Sequence, residues 1–139
     1  MATKRRAETA QENREKMIQA ARKAFAEKGY AAASMDELTA SVGLTRGALY
    51  HNFNDKKGLL AAVVAQIDSE MAANAKAIAA AAEDDWERLL AEGIAYIKMA
   101  LVPEVQRIVL LDGPAVLGTR RNGPARTAAL SRPVRPSKK

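Results

Sequence analysis

Within twenty residues, from Ser34 to Phe53, the chain starts a helix twice and breaks it once. Ser34-Met-Asp-Glu37 has the form of a capping box, in which the serine hydroxyl accepts from the third backbone N–H and the glutamate reaches back to the serine's own. Met35, Leu38 and Val42 follow at helical spacing and give this short helix a buried stripe. Gly43-Leu44 interrupts it, and Thr45 caps a further helix running to about Asn52. A segment punctuated in this way can be neither a strand nor one long helix. It folds as two short helices set at an angle by a turn.

The rest of the chain is also helical in pattern. Met17, Ile18, Ala21 and Phe25 recur at helical spacing, and Gly29 closes that helix as a residue free to enter the left-handed region. Asn54 is expected to cap a fourth helix with Leu59, Leu60, Val63, Val64, Ile67 and Met71 on one face. Residues 72–82 hold eight alanines in eleven positions, favourable for helix but poor in core volume. Asp84-Asp85 starts another helix, whose buried face is expected to be Trp86, Leu89, Leu90, Ile94, Ile97 and Leu101. Pro103 opens a last helical stretch, Glu104 to about Leu111. Alternating β-branched runs and long repeats are absent, so the fold class is all-α.

Composition removes several kinds of chemistry. With no Cys and a single His, His51, the chain holds no disulfide, thiolate metal site or multi-histidine zinc site. Gly113 to Gly118 imitates the spacing of a phosphate-binding loop, but Thr119 stands where the lysine should be. Asp84, Asp85 and Glu87 read better as a helix start than as metal ligands. No enzymatic activity, cofactor or metal is expected. No apolar run is long enough to cross a bilayer, and Met1 to Arg6 is not followed by the apolar core of a secretory signal. A soluble, cytoplasmic protein without a membrane partner is the expectation.

Charge is uneven. Residues 1–60 carry 11 Lys/Arg against 7 Asp/Glu, residues 61–117 carry 4 against 9, and residues 118–139 carry 7 against none. A polyanion would therefore meet one or both ends.

The segment 34–53 has the shape of a helix-turn-helix, in which the turn sets the second helix across the first and projects it towards a major groove. Leu38, Val42, Leu44, Leu49 and Phe53 supply its core, leaving Thr45, Arg46, Gly47, Tyr50 and His51 outside. Positions 46, 47, 50 and 51 share one helical face. A forked cation, a gap in the side-chain layer, a phenol and an imidazole suit phosphates and base edges better than a core. Each has a plainer reading as well: a packing glycine, a solvated arginine, a tyrosine capping the core, a surface histidine.

Met17-Ile-Gln-Ala-Ala, Phe25-Ala-Glu-Lys-Gly-Tyr30, Ser34-Met-Asp-Glu-Leu38 and Val42-Gly-Leu-Thr-Arg-Gly-Ala-Leu-Tyr-His-Asn-Phe53, with Lys56, closely resemble the DNA-binding domain of the TetR (tetracycline repressor) family. The likeness runs from about Arg14 to Leu60. It implies a homodimeric, all-helical transcriptional regulator, usually a repressor released from double-stranded operator DNA by a small-molecule effector. On that resemblance Ser34 and Thr45 would hydrogen-bond phosphates, and Arg46 would reach a base edge, guanine above all. Gly47 would let the helix sit deep in the groove. Tyr50 and His51 would contact phosphates, and Lys56 would add charge near the start of the fourth helix. Lys4, Arg5 and Arg6 resemble the basic DNA arm that precedes the first helix in many members, and equally fit a solvated terminus.

The resemblance divides the chain into a three-helix DNA-binding domain, 1–57 with its arm at 1–8, a partial helical ligand-binding and dimerisation domain, 58–118, and a basic Pro/Arg-rich tail, 119–139, expected to be disordered. Met71, Trp86, Tyr96 and Met99 are candidates to line an effector pocket, although at helical spacing they also fit plain core. The likeness is expected to end at Gly118, as in a truncated or frameshifted regulator. Lacking the family's interface helices, such a chain should dimerise poorly and bind DNA weakly. Two rivals remain: an interaction protein pairing with an intact homologue, and a non-specific nucleic-acid binder acting through its tail.

Overall fold

The computed structural model describes residues 2–118, so the tail at 119–139, with its expected disorder, lies outside the described residues. Its helices run in the order α1 (Ala2–Lys28), α2 (Met35–Ser41), α3 (Arg46–Phe53), α4 (Lys56–Ala79), α5 (Asp85–Ala100), α6 (Pro103–Val105), a π-helical stretch (Gln106–Asp112) and α7 (Gly113–Leu117). None of them is long and apolar enough to cross a membrane.

The caps explain most of the boundaries. Gly29, at φ +84°, closes α1 and donates its N–H to the Phe25 carbonyl at 3.0 Å. Ser34 caps α2 by accepting from the Glu37 N–H at 3.4 Å, but Glu37 does not complete the expected box. Its carboxylate pairs instead with Lys28 at 3.1 Å. Thr45 caps α3, accepting from the Ala48 N–H at 3.1 Å. The cap of α4 is Asp55 rather than Asn54: the Asp55 carboxylate accepts from the Gly58 N–H at 2.7 Å. Asn54, at φ +64°, ends α3 by donating its N–H to the Tyr50 carbonyl at 2.9 Å.

The last helical stretch continues to Leu117, beyond the expected Leu111, by widening in its middle. Pro114 has no N–H to return to the Leu110 carbonyl, and the Gly113 N–H bonds the Ile108 carbonyl one residue further back than in an α-helix.

One apolar core joins these elements. Phe25 and Ala21 of α1, Leu49 and Phe53 of α3, Leu59, Leu60 and Val63 of α4, and Ile108 from the π-helical stretch are buried together. Each large side chain so buried contributes about 1.5–3 kcal/mol. Val42 and Leu44, as expected, pack against this cluster.

α5 pairs with α4 through small residues, Ala75 and Ala79 on one helix and Ala95 on the other, which let the two backbones approach. Here the expectation of a buried stripe fails. Trp86 is 67% exposed, and Leu89, Leu90, Ile94, Ile97 and Leu101 are exposed beside it; among the residues of α5 only Ala95 is buried. The periodicity correctly marks an apolar face, but no element within residues 2–118 covers it.

Candidate nucleic-acid interface

α3 is held from beneath and open above. Leu49 and Phe53 are its two buried residues, whereas Thr45, Arg46, Gly47, Tyr50 and His51 are all exposed. The expected outward face is therefore a real surface. At Thr45 the oxygen accepts the Ala48 N–H, which leaves the hydroxyl proton able to donate outward. Ser34, one cap earlier, stands in the same condition. The hydroxyls of both caps thus serve the helix and retain a donor for an anion.

Gly47 has no packing duty. A Cβ built there would meet only Thr45 Oγ1, at 3.9 Å, so the plainer reading of a packing glycine loses its basis. Arg46 is not a free charge. Its Nη2 lies 2.8 Å from Asp36 Oδ1, bridging α3 to the first turn of α2. Lys56 is half-buried at the start of α4, with its ammonium 4.5 Å from the centre of the Tyr30 ring. That ring also lies against Phe25, and burial, with Asp55 adding, raises the Tyr30 phenol above its ordinary pKa.

Two residues outside the sequence-based set fix the orientation of α3. Arg14 of α1 lays its guanidinium 4.7 Å from the centre of the Phe53 ring and reaches the Asn52 carbonyl at 3.5 Å. A cation at the last turn of α3 also faces the negative end of that helix. Its position three and four residues before Met17 and Ile18 was the available signal. Gly58 shapes the corner between α3 and α4, since a Cβ there would come within 1.9 Å of the Phe53 carbonyl oxygen. Asp36 is the third omission.

Other candidates are not gathered here. Lys4, Arg5 and Arg6 lie inside α1 rather than on an arm preceding it, because the helix starts at Ala2. About 18 Å of helix separates Arg5 from the first buried residue, Met17. Of the four proposed pocket residues, Met71 packs against the core and Met99 accepts from Asn74 Nδ2 at 3.2 Å, while Trp86 and Tyr96 are exposed. A groove of about 760 Å³ opens instead between α1 and α2 and is lined by none of the four.

Comparison with known proteins agrees with this geometry. Residues 17–63 match the family described as bacterial regulatory proteins, tetR family. Residues 86–134 match the tetracyclin repressor-like C-terminal domain, so family likeness continues past Gly118, where it was expected to end. The HTH-type transcriptional repressor AcnR of Corynebacterium diphtheriae is 39% identical over 59 residues, covering 42% of this chain and 31% of that protein. The transposon Tn10 TetC protein of Escherichia coli is 46% identical over 50 residues, 36% of this chain and 25% of that one. The chain therefore matches about a third or less of these relatives' length. A crystal structure of a TetR-family transcriptional regulator from Pectobacterium atrosepticum superposes with a TM-score of 0.71 at 59% identity, covering 79% of this chain and 57% of that one. With both domains of the family matched over more than half its length, the chain belongs to the TetR family of bacterial regulatory proteins.

Proposed function

We propose that the chain is a sequence-specific, double-stranded-DNA-binding transcriptional regulator of the repressor type, acting in the cytoplasm and reading a major groove with α3. The observation that carries this reading is the exposed row Thr45, Arg46, Gly47, Tyr50 and His51 on a helix anchored beneath by Leu49 and Phe53. The relatives named as transcriptional repressors support it. In this reading Arg46 reads a base edge, Ser34, Thr45, Tyr50, His51 and Lys56 contact phosphates, and Gly47 allows close approach. Lys4 to Arg6, at the free end of α1, add charge.

The C-terminal half supplies the partners. A second copy and a small apolar effector are the occupants we assign to it, and the uncovered face of α5 from Trp86 to Leu101 supports that assignment. No catalytic step is part of this reading.

Selection of duplexes from a random pool by the full chain tests it. Enrichment of one motif is expected, and Arg46→Ala with Tyr50→Ala should abolish the preference while leaving salt-dependent background binding. Changing the seven Arg and Lys residues of 119–139 to Gln, which keeps the length of the stretch matched by the C-terminal family domain, should leave the motif unchanged. Loss of all binding in that variant would transfer the function to the tail.

A further inference from the structure

Asp36 is an odd residue to find beside a surface meant for a polyanion. It lies in the first turn of α2, directly across from the row on α3, and its side chain is 68% exposed. An unpaired carboxylate there would be repelled by a phosphate backbone. It is not unpaired. Arg46 Nη2 reaches both of its oxygens, at 2.8 Å and 3.1 Å. Among the described residues Nη1 and Nε of Arg46 have no hydrogen-bond partner, so the guanidinium is held by one nitrogen and pointed by it.

We infer that Asp36 is a specificity-determining residue: it holds Arg46 by one guanidinium nitrogen, in a neutral pair that stays closed on DNA and aims the remaining N–H groups at a base edge. This rests on the groove-reading function proposed for α3. On arbitrary sequence Arg46 has only phosphates or ill-placed acceptors on offer, and the pair stays closed, contributing no net charge to the encounter. Opposite a guanine, O6 and N7 accept from guanidinium N–H groups that the carboxylate leaves open, so recognition does not require the pair to break. Asp36 thereby withdraws one arginine from non-specific binding and reserves it for recognition. Being exposed, the pair contributes little to folding, so its presence is not explained by stability.

The experiment compares the full chain with Asp36→Asn, Asp36→Glu, Arg46→Ala and the double variant Asp36→Asn/Arg46→Ala. Affinities are measured by fluorescence anisotropy on a duplex selected from a random pool by the unmodified chain and on a scrambled duplex of the same composition, from 50 to 200 mM salt. In Asp36→Asn, Arg46 is released to the phosphates, so scrambled-duplex binding should tighten. Its salt slope should steepen by about 0.9 per module, an additional loss of roughly 3.5-fold across that salt range. The ratio of selected to scrambled affinity should fall at least 5-fold, the low end of what one arginine–guanine contact discriminates. Asp36→Glu should keep the ratio within twofold, and in the Arg46→Ala background Asp36→Asn should leave the ratio unchanged.

A ratio unchanged or raised in Asp36→Asn overturns the inference, as does an equal fall with and without Arg46, which would make Asp36 act independently. If Arg46→Ala itself leaves the ratio untouched, or the pool yields no motif, the groove-reading function fails and the role of Asp36 with it. A fall confined to the background that retains Arg46 supports both.

Discussion

Replacing Gly29 by Ala separates two causes that meet at one atom. Gly29 sits at φ +84°, where an alanine is strained by about 1–2 kcal/mol whatever surrounds it. A Cβ there would also come within 2.6 Å of Arg107 Nη2. The second obstacle is cheap, because the guanidinium is the end of a long side chain whose contact to the Glu27 carbonyl is 3.5 Å and exposed. Backbone strain should therefore dominate, for a total loss of about 1–2.5 kcal/mol. For a chain of this size that lowers Tm by roughly 3–12 °C, read by circular dichroism at 222 nm. Gly93→Ala is the matched control: it lies inside α5 with nothing within 4 Å of a Cβ, and should stabilise by about 0.5–1 kcal/mol. Repeating Gly29→Ala in an Arg107→Ala background assigns the cause. The penalty should persist there nearly whole. If it disappears, the contact rather than the backbone angle governs Gly29, and the reasoning is refuted.

Other outcomes follow from single side chains. Asp68 is half-buried, and desolvation raises its pKa above the ordinary carboxylate value. The folded state therefore prefers the protonated acid, stability is gained as pH falls through the folded pKa towards about 4, and Asp68→Asn should stabilise at pH 7 but not at pH 3. Equal denaturation midpoints of the two proteins at pH 7 would contradict this. Arg14→Met keeps the stem but removes the cation from the Phe53 ring and the α3 terminus, and should cost about 1–2 kcal/mol in urea titration while weakening duplex binding. An unchanged midpoint would show that Arg14 does not orient α3. Gly47→Ala should move two assays in opposite directions: folding stability should rise by up to about 1 kcal/mol, because nothing crowds the new methyl, and affinity for a selected duplex should fall at least tenfold. Affinity that rises with stability would remove the close-approach role.

How much of this was legible in the sequence depends on the range of each interaction. Ser34, Thr45 and Gly29 act within four residues of themselves, and their caps were readable at once. Asn54 and Asp55 are both competent caps standing side by side. Which of them starts α4 was decided by Asn54's tolerance of a positive φ, at the corner where Gly58 passes close to Phe53. The outward row on α3 was legible because two buried residues fix the phase of an eight-residue helix. The ion pair of Arg46 with Asp36 and the bond of Arg22 to Glu104, 82 positions away, leave no local trace. Periodicity placed an apolar stripe on α5 correctly and assigned its burial wrongly, because a stripe states that a helix has a partner face without naming the partner.

The same distinction bears on where the recognition module ends. A division at residue 57 follows the family pattern, yet the core does not divide there. Leu59, Leu60 and Val63 of α4, with Val105, Ile108 and Val109 from the C-terminal half, are buried against Phe25, Leu49 and Phe53 in one cluster. Polar contacts follow the same route. Arg22 of α1 bonds Gln66 and Glu70 of α4 as well as Glu104, and Asp112 accepts the Tyr30 N–H at 3.0 Å. A piece ending at residue 57 would expose the inner faces of α1 and α3 together, at about 1.5–3 kcal/mol for each large side chain uncovered. The helix-turn-helix is therefore a surface of a larger core rather than a separate unit. α3 is held by α2, by α4 and by Arg14 of α1, and α1 and α4 are in turn packed against residues 106–112.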